Sequence, residues 1–253
     1  MIDSHVHLNH PDFRDDLADV LARAKWAGVT LMMNIGFDIE SSRETVALTE
    51  RFSSMRGAVG VHPHDARTYT DEVEAELLSM LEKPGIVAVG EIGLDYYRDL
   101  SPRETQQAVF KRQLSLALDK GKPVVIHCRD AFDDVMAILG DAARRYRGIF
   151  HAFSGDGVMA RDVMSLGFHI GVGGVVTFRN ARLRDVVTEL PLGAVVLETD
   201  CPYLAPVPFR GKRNEPSYLR HVVETVSAAT GQTTEKIVEA TNENFARAMG
   251  IAL

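Results

Sequence analysis

Residues 124–130 read VVIHCRD. Val124–Ile126 is an unbroken apolar run of β-branched residues. A strand without polar alternation is buried on both faces, as in a parallel sheet covered by helices. The run ends in His127, and beyond it Val135, Ile138 and Leu139 fall at helical spacing. The stretch is one β–α unit with its polar residues at the carboxyl end of the strand.

The same unit recurs along the chain. Strand-like runs are expected at Ile2–Asp3, Val29–Ile35, Ala58–Val61, Ile86–Val89, Ile149–Phe150, His169–Val172 and Val195–Leu197. Leu17, Leu21 and Ala24 repeat at helical spacing, as do Leu77, Leu78 and Leu81, and Phe110, Leu114 and Leu118. Two helices close the chain, over Tyr218–Thr230 and Glu235–Met249, with Thr233 and Thr234 placed to cap the second. About eight β–α units predict a (β/α)8 TIM barrel, one domain over residues 1–253, with an additional C-terminal helix. A doubly wound open sheet is the alternative. The lack of a GxGxxG after the first run counts against its nucleotide-binding form.

Composition narrows the function. The chain has 253 residues, 45% of them hydrophobic, enough for a sizeable core without disulfides. With 28 Lys and Arg against 35 Asp and Glu, the formal charge is −7, which argues against overall positive charge as the hold on nucleic acid. No apolar stretch approaches the ~20 residues of a membrane span. The opening MIDSHVHLNH has no basic flank or apolar segment of the secretory kind. Two cysteines, Cys128 and Cys201, suggest a reducing compartment, so a cytoplasmic protein is expected.

Metal-competent residues cluster where the runs end: His5 and His7, His62 and His64, Glu91, His127, His151 and Asp200. In a barrel these positions share the C-terminal mouth. Residues i and i+2 of a strand point to one side, so His5 and His7 can reach one ion. Glu91 directly follows a buried run, where a carboxylate is costly unless compensated, and its two oxygens can bridge two cations. His127 and His151 could supply nitrogen ligands to a second ion. Asp200 could both ligate an ion and accept a proton, with Glu198 as an acceptor that orients a histidine. Cys128 and Cys201 each follow a ligand candidate, so alternation turns them away into packing. A basic constellation, Arg210-Gly211-Lys212-Arg213 with Arg129 and Arg179, suits phosphate. Ser154 and Gly155 could add donors, and Tyr96, Tyr97, Phe178, Tyr203 and Phe209 could stack on bases.

Seven stretches in register resemble the TatD family of metal-dependent deoxyribonucleases, within the wider amidohydrolase-like barrel superfamily. They are DSHVHLN at 3–9, GVHPHDA at 60–66, GEIGLDYY at 90–97, IHCRDA at 126–131, HAFSG at 151–155, GGVVTFRNA at 173–181 and LETDCPYLAPVPFRGKRNEP at 197–216. The resemblance implies a two-metal barrel that hydrolyses phosphodiester bonds in DNA from the 3′ end of single strands. It implies that His5, His7 and Asp200 hold one divalent ion, that His127 and His151 hold the other, and that Glu91 bridges. It also implies that His62 contacts the phosphate or supports the site, and that Arg129, Arg210 and Lys212 contact substrate. Asn9, where an acidic residue is common, and the C-terminal NENFARAM depart from the family pattern without removing a ligand.

The expected activity is thus metal-dependent ester hydrolysis on DNA, with Asp200 and Glu91 as catalytic residues and a metal-activated water as nucleophile. Amide hydrolysis or aminoacyl-tRNA deacylation on the same centre is the alternative. The nitrogen and oxygen ligands admit Zn, Mn or Mg. A monomer without membrane contact is expected.

Overall fold

The computed structural model describes residues 1–252, and each strand-like run takes its place in one sheet. The strands and helices alternate as β1 (Ile2–Val6), α1 (Leu17–Trp26), β2 (Leu31–Ile35), α2 (Ile39–Arg51), β3 (Met55–Val59) and α3 (Asp71–Met80). They continue as β4 (Ile86–Asp95), α4 (Arg103–Asp119), β5 (Val124–Arg129), α5 (Phe132–Leu139), β6 (Gly148–Phe150) and α6 (Gly157–Ser165). The last are β7 (His169–Val172), α7 (Leu183–Glu189), β8 (Val195–Leu197), α8 (Leu219–Thr230) and α9 (Thr234–Met249). Pairing is parallel and sequential from β1 to β8. The ends of the sheet meet: Val6 bridges Cys201, His7 N–H donates to the Cys201 carbonyl at 2.9 Å, and Asp200 N–H donates to the His5 carbonyl at 2.9 Å. The sheet is therefore a (β/α)8 barrel, and the open-sheet alternative falls.

Six strands differ in their bounds from the sequence reading, β1, β2, β5 and β6 by one to three residues at one end, β3 and β4 more. The third strand starts at Met55 and ends at Val59, because Val61 leaves the ladder to exchange hydrogen bonds with the Gln113 side chain (2.8 and 2.9 Å). The fourth runs past Val89 to Asp95, buried throughout. In α9, Thr233 is the cap, its side chain accepting from Lys236 N–H.

Alternation sorts the side chains into two layers. Val124, Ile126, Phe150 and Leu197 face outward to the helices, and Cys201 packs with them while Cys128 packs against them. Met33, Ile35, Ala58, Val125, Ile149 and Val196 form a second cluster together with Phe245, Ala248 and Met249 of α9. That helix closes the floor of the barrel. Asn242 accepts from Ile2 N–H at 2.9 Å, and Asn244 donates to the Leu192 and Val195 carbonyls at 2.8 and 2.7 Å. Two residues above Val125, Ile149 and Val196 on the same side stand His127, His151 and Glu198. An apolar floor thus carries a polar mouth.

Candidate metal centre

Glu91 is the hub of the mouth. Its Oε2 lies 3.3 Å from His5 Nε2 and 3.8 Å from His7 Nε2. Its Oε1 lies 2.8 Å from His127 Nδ1, 2.7 Å from His151 Nε2 and 3.4 Å from His62 Nε2. Asp200 Oδ1 completes the first group, 3.7 Å from His5 Nε2 and 3.4 Å from His7 Nε2. Each oxygen of one carboxylate thus faces a separate set of imidazoles.

The donor atoms fit divalent cations. His5 Nε2 and His7 Nε2 are 3.1 Å apart in a fully buried setting. With metal–nitrogen bonds of about 2.0–2.1 Å, tetrahedral ligands are separated by about 3.4 Å. The five distances among His5, His7, Asp200 and Glu91 lie between 3.1 and 3.8 Å. Around Glu91 Oε1, His127 Nδ1 and His151 Nε2 are 3.2 Å from one another. His62, Glu91 and His127 also group within ligating reach, as do His5, His151 and Glu198.

The protonation states follow from burial and neighbours. Burial and the neighbouring His151 hold His5 down to about 4, and burial with His127 holds His62 down to about 4, so both rings are neutral at pH 7. Burial alone would raise Glu91, but His151, His62 and the His127 hydrogen bond outweigh it and hold the carboxyl well below its ordinary value. Burial opposes a proton on His151 too, yet Glu91 raises it to about 10. Asp200 is likewise kept ionised against burial by His7 and His5. It sits at φ 56°, a left-handed conformation that aspartate tolerates better than bulkier residues.

Sequence reasoning missed the partner of His127. The fully buried Asp95 Oδ2 lies 3.0 Å from His127 Nε2 and 2.9 Å from His64 Nε2. Its Oδ1 accepts from Tyr97 and Arg98 N–H at 3.0 and 2.7 Å. Despite opposing burial, these bonds hold the carboxyl below its ordinary value. The signal was present: Glu91, Gly93 and Asp95 share one side of β4, once the strand is allowed its full length. Gly93 is needed between them, because a Cβ there would lie 1.9 Å from the His127 carbonyl oxygen. Asp3 was missed as well. It accepts from Thr199 N–H and hydroxyl at 2.9 and 2.6 Å, anchoring the segment that bears Asp200.

Of the remaining candidates, Glu198 borders this cluster and the basic residues lie apart from it. Glu198 takes Ala152 N–H at 2.6 Å, and its Oε1 is 3.9 Å from His151 Nδ1, so its first tie is to the backbone. Arg129 stacks on Tyr97 (3.9 Å to the ring centre) and Arg210 on Phe178 (4.4 Å), while Lys212 stands 6.0 Å above Phe209. Phe209 itself stacks on Tyr218 at 4.0 Å. Arg213 is not a free cation: it is paired with Asp16 at 2.6 Å.

Comparison with known proteins finds relatives over nearly the whole chain. The sequence model of a family described as "TatD related DNase" matches residues 2–250. The chain is 40% identical over 249 residues to the Bacillus subtilis (strain 168) protein named uncharacterized metal-dependent hydrolase YabD, covering 98% of each. It is 35% identical over 260 residues to the protein of Enterobacter lignolyticus (strain SCF1) named 3′-5′ ssDNA/RNA exonuclease TatD, covering 100% of both. The crystal structure of YJJV, a TatD homologue from Escherichia coli K12, superposes with a TM-score of 0.94 at 32% identity, covering 100% of this chain and 98% of that one.

Proposed function

The chain belongs to the TatD-related DNase family, and from that premise we propose that it removes nucleotides from the 3′ end of single-stranded DNA. It is a metal-dependent hydrolase acting on ester bonds. No helix among the described residues is long and apolar enough to cross a membrane. The observation that carries the finer reading is the division of Glu91 between two sets of imidazoles. The named relatives favour a phosphodiester over an amide or an aminoacyl ester.

In this reading two divalent ions are held, one by His5, His7 and Asp200 and one by His127 and His151, with Glu91 shared. Bound ions supply Lewis acidity and a more acidic water. The residues of the chain do the rest. Asp200, ionised and slightly open to the mouth, takes the proton of the attacking water at a carboxylate oxygen. Asp95 fixes the ring of His127, and Asp3 fixes the backbone beside Asp200. His62, Arg129, Arg210 and Lys212 bind and orient the phosphates.

The test is a ladder assay on 5′-end-labelled single-stranded DNA with and without Mg or Mn, with Asp200→Asn prepared in parallel. Metal-dependent shortening from the 3′ end by wild type, and none by the variant at similar DNA affinity, is the expected result. Folded, metal-loaded wild type that leaves DNA intact would overturn the reading.

A further inference from the structure

A cleft of about 450 Å³ opens between the loops that follow β5 and β6. We propose that it receives the 3′-terminal nucleoside of the strand, uncharged and bearing a free 3′-hydroxyl; this rests on the nuclease reading above. Buried His151 lines it with Nδ1 lacking a hydrogen-bond partner, so the cleft adjoins the cluster. The volume falls within the ~300–1,000 Å³ of small-molecule sites. Tyr96, Phe132 and Phe153 line it with aromatic surface for a base, and Ser154 offers a hydroxyl.

The charge of the wall selects what can enter. Asp130, Asp133 and Asp134 line the same cleft. Asp134 is taken up by the Tyr96 hydroxyl (2.6 Å) and Gln107 (3.0 Å). Among the described residues none makes an ion pair with Asp130 or Asp133. Such a wall accepts hydrogen bonds from hydroxyl and amino groups and repels phosphate. Arg210 and Lys212 do not line it. A continuing sugar–phosphate chain is therefore disfavoured. The terminal unit suits it best, with its single 5′-phosphate at the cluster and nothing charged beyond. In the reaction the water oxygen bonds to phosphorus, and the bond from phosphorus to O3′ of the preceding nucleotide breaks. That O3′ takes up a proton. The products are a nucleoside 5′-monophosphate in the cleft and a strand one unit shorter with a new 3′-hydroxyl.

The test compares two 5′-labelled strands of one sequence, ending in a 3′-hydroxyl or a 3′-phosphate. Wild type should shorten the hydroxyl end faster by about tenfold or more. In Asp130→Asn/Asp133→Asn this ratio should fall toward one; asparagine suits the φ of 52° at position 130. Calorimetry on metal-loaded wild type should show a deoxynucleoside 5′-monophosphate binding more tightly than its 3′,5′-bisphosphate, a readout that needs no variant. Equal rates on both ends, or a folded variant that keeps the wild-type ratio, would overturn the subsite while leaving the nuclease reading intact. Failure to shorten either strand would overturn the nuclease reading and the subsite with it.

Discussion

Replacing Asp95 by Asn tests whether the ion proposed at His127 and His151 depends on a buried acceptor. An ionised carboxylate only accepts, so His127 and His64 both present N–H to Oδ2, at 3.0 and 2.9 Å. In a neutral ring this leaves the lone pair of His127 on Nδ1, the atom 2.8 Å from Glu91. An amide cannot reproduce the arrangement. With NH2 in the Oδ2 position it faces two donors, and His127 must shift its own proton to Nδ1, hiding the lone pair a metal needs. With NH2 in the Oδ1 position it faces the Tyr97 and Arg98 N–H groups instead. Loss of a ligand's orienting partner costs 10–100-fold in metal affinity, or about 1.4–2.7 kcal/mol. The assay is competition with a chromogenic chelator for Zn or Mn, read as two binding steps. The step assigned to His127 and His151 should weaken by that factor and the His5–His7 step should hold. Unchanged affinity at both steps, or equal loss at both, would refute the tautomer argument.

Three further outcomes follow from other parts of the molecule. Phe245→Ala, in the barrel floor at 1% exposure, should lower stability by about 3–5 kcal/mol in urea unfolding while leaving metal affinity unchanged. Burial pushes the Cys128 thiol up to about 12 and Cys201 well above its ordinary value. Neither should react quickly with a disulfide reagent at pH 8, and any slow rate should climb about tenfold per pH unit without levelling by pH 9. Arg210→Ala and Lys212→Ala should each reduce the salt dependence of single-strand binding by about 0.7 in log–log slope, if each neutralises one phosphate.

The barrel was legible because burial on both faces removes polar residues from a strand, and that signature survives in runs as short as Val195–Leu197. The gathering of histidines and carboxylates at the mouth was legible for the same reason inverted: histidine or carboxylate after such a run has few structural uses. Asp95 escaped because Glu91 and Gly93 interrupt the apolar run, so β4 reads as ended at Val89, although the ladder continues to Asp95. Asp3 escaped because it lies within a strand whose apolar residues were few. Arg213 misled in the opposite way. Arg210 and Lys212 precede it in the sequence, but its partner Asp16 is distant in the chain, and no local pattern announces such a pair.

The two halves of the centre should also differ in how they respond to protons. His5 is held down to about 4 and is already neutral at pH 7, so an ion there displaces no proton from it. His151 is raised to about 10, chiefly by Glu91 working against burial, and carries a proton at pH 7 in the metal-free protein. A metal must expel that proton. Affinity at the His127–His151 half should therefore rise about tenfold per pH unit between pH 7 and 9, and the His5–His7 half should gain nothing through His5. The sign for stability is opposite. A histidine whose pKa is raised by folding stabilises fully below its ordinary 6.5 and loses that contribution as pH rises through about 10. The metal-free protein should thus lose melting temperature between pH 7 and 10, and the metal-loaded protein should lose less. Calorimetric titration in two buffers of different ionisation enthalpy counts the protons directly. Proton release on the weaker step and little on the tighter one is the expected pattern. No release at either step would show that Glu91 does not hold a protonated His151, and the electrostatic account of the centre would have to be rebuilt from that point.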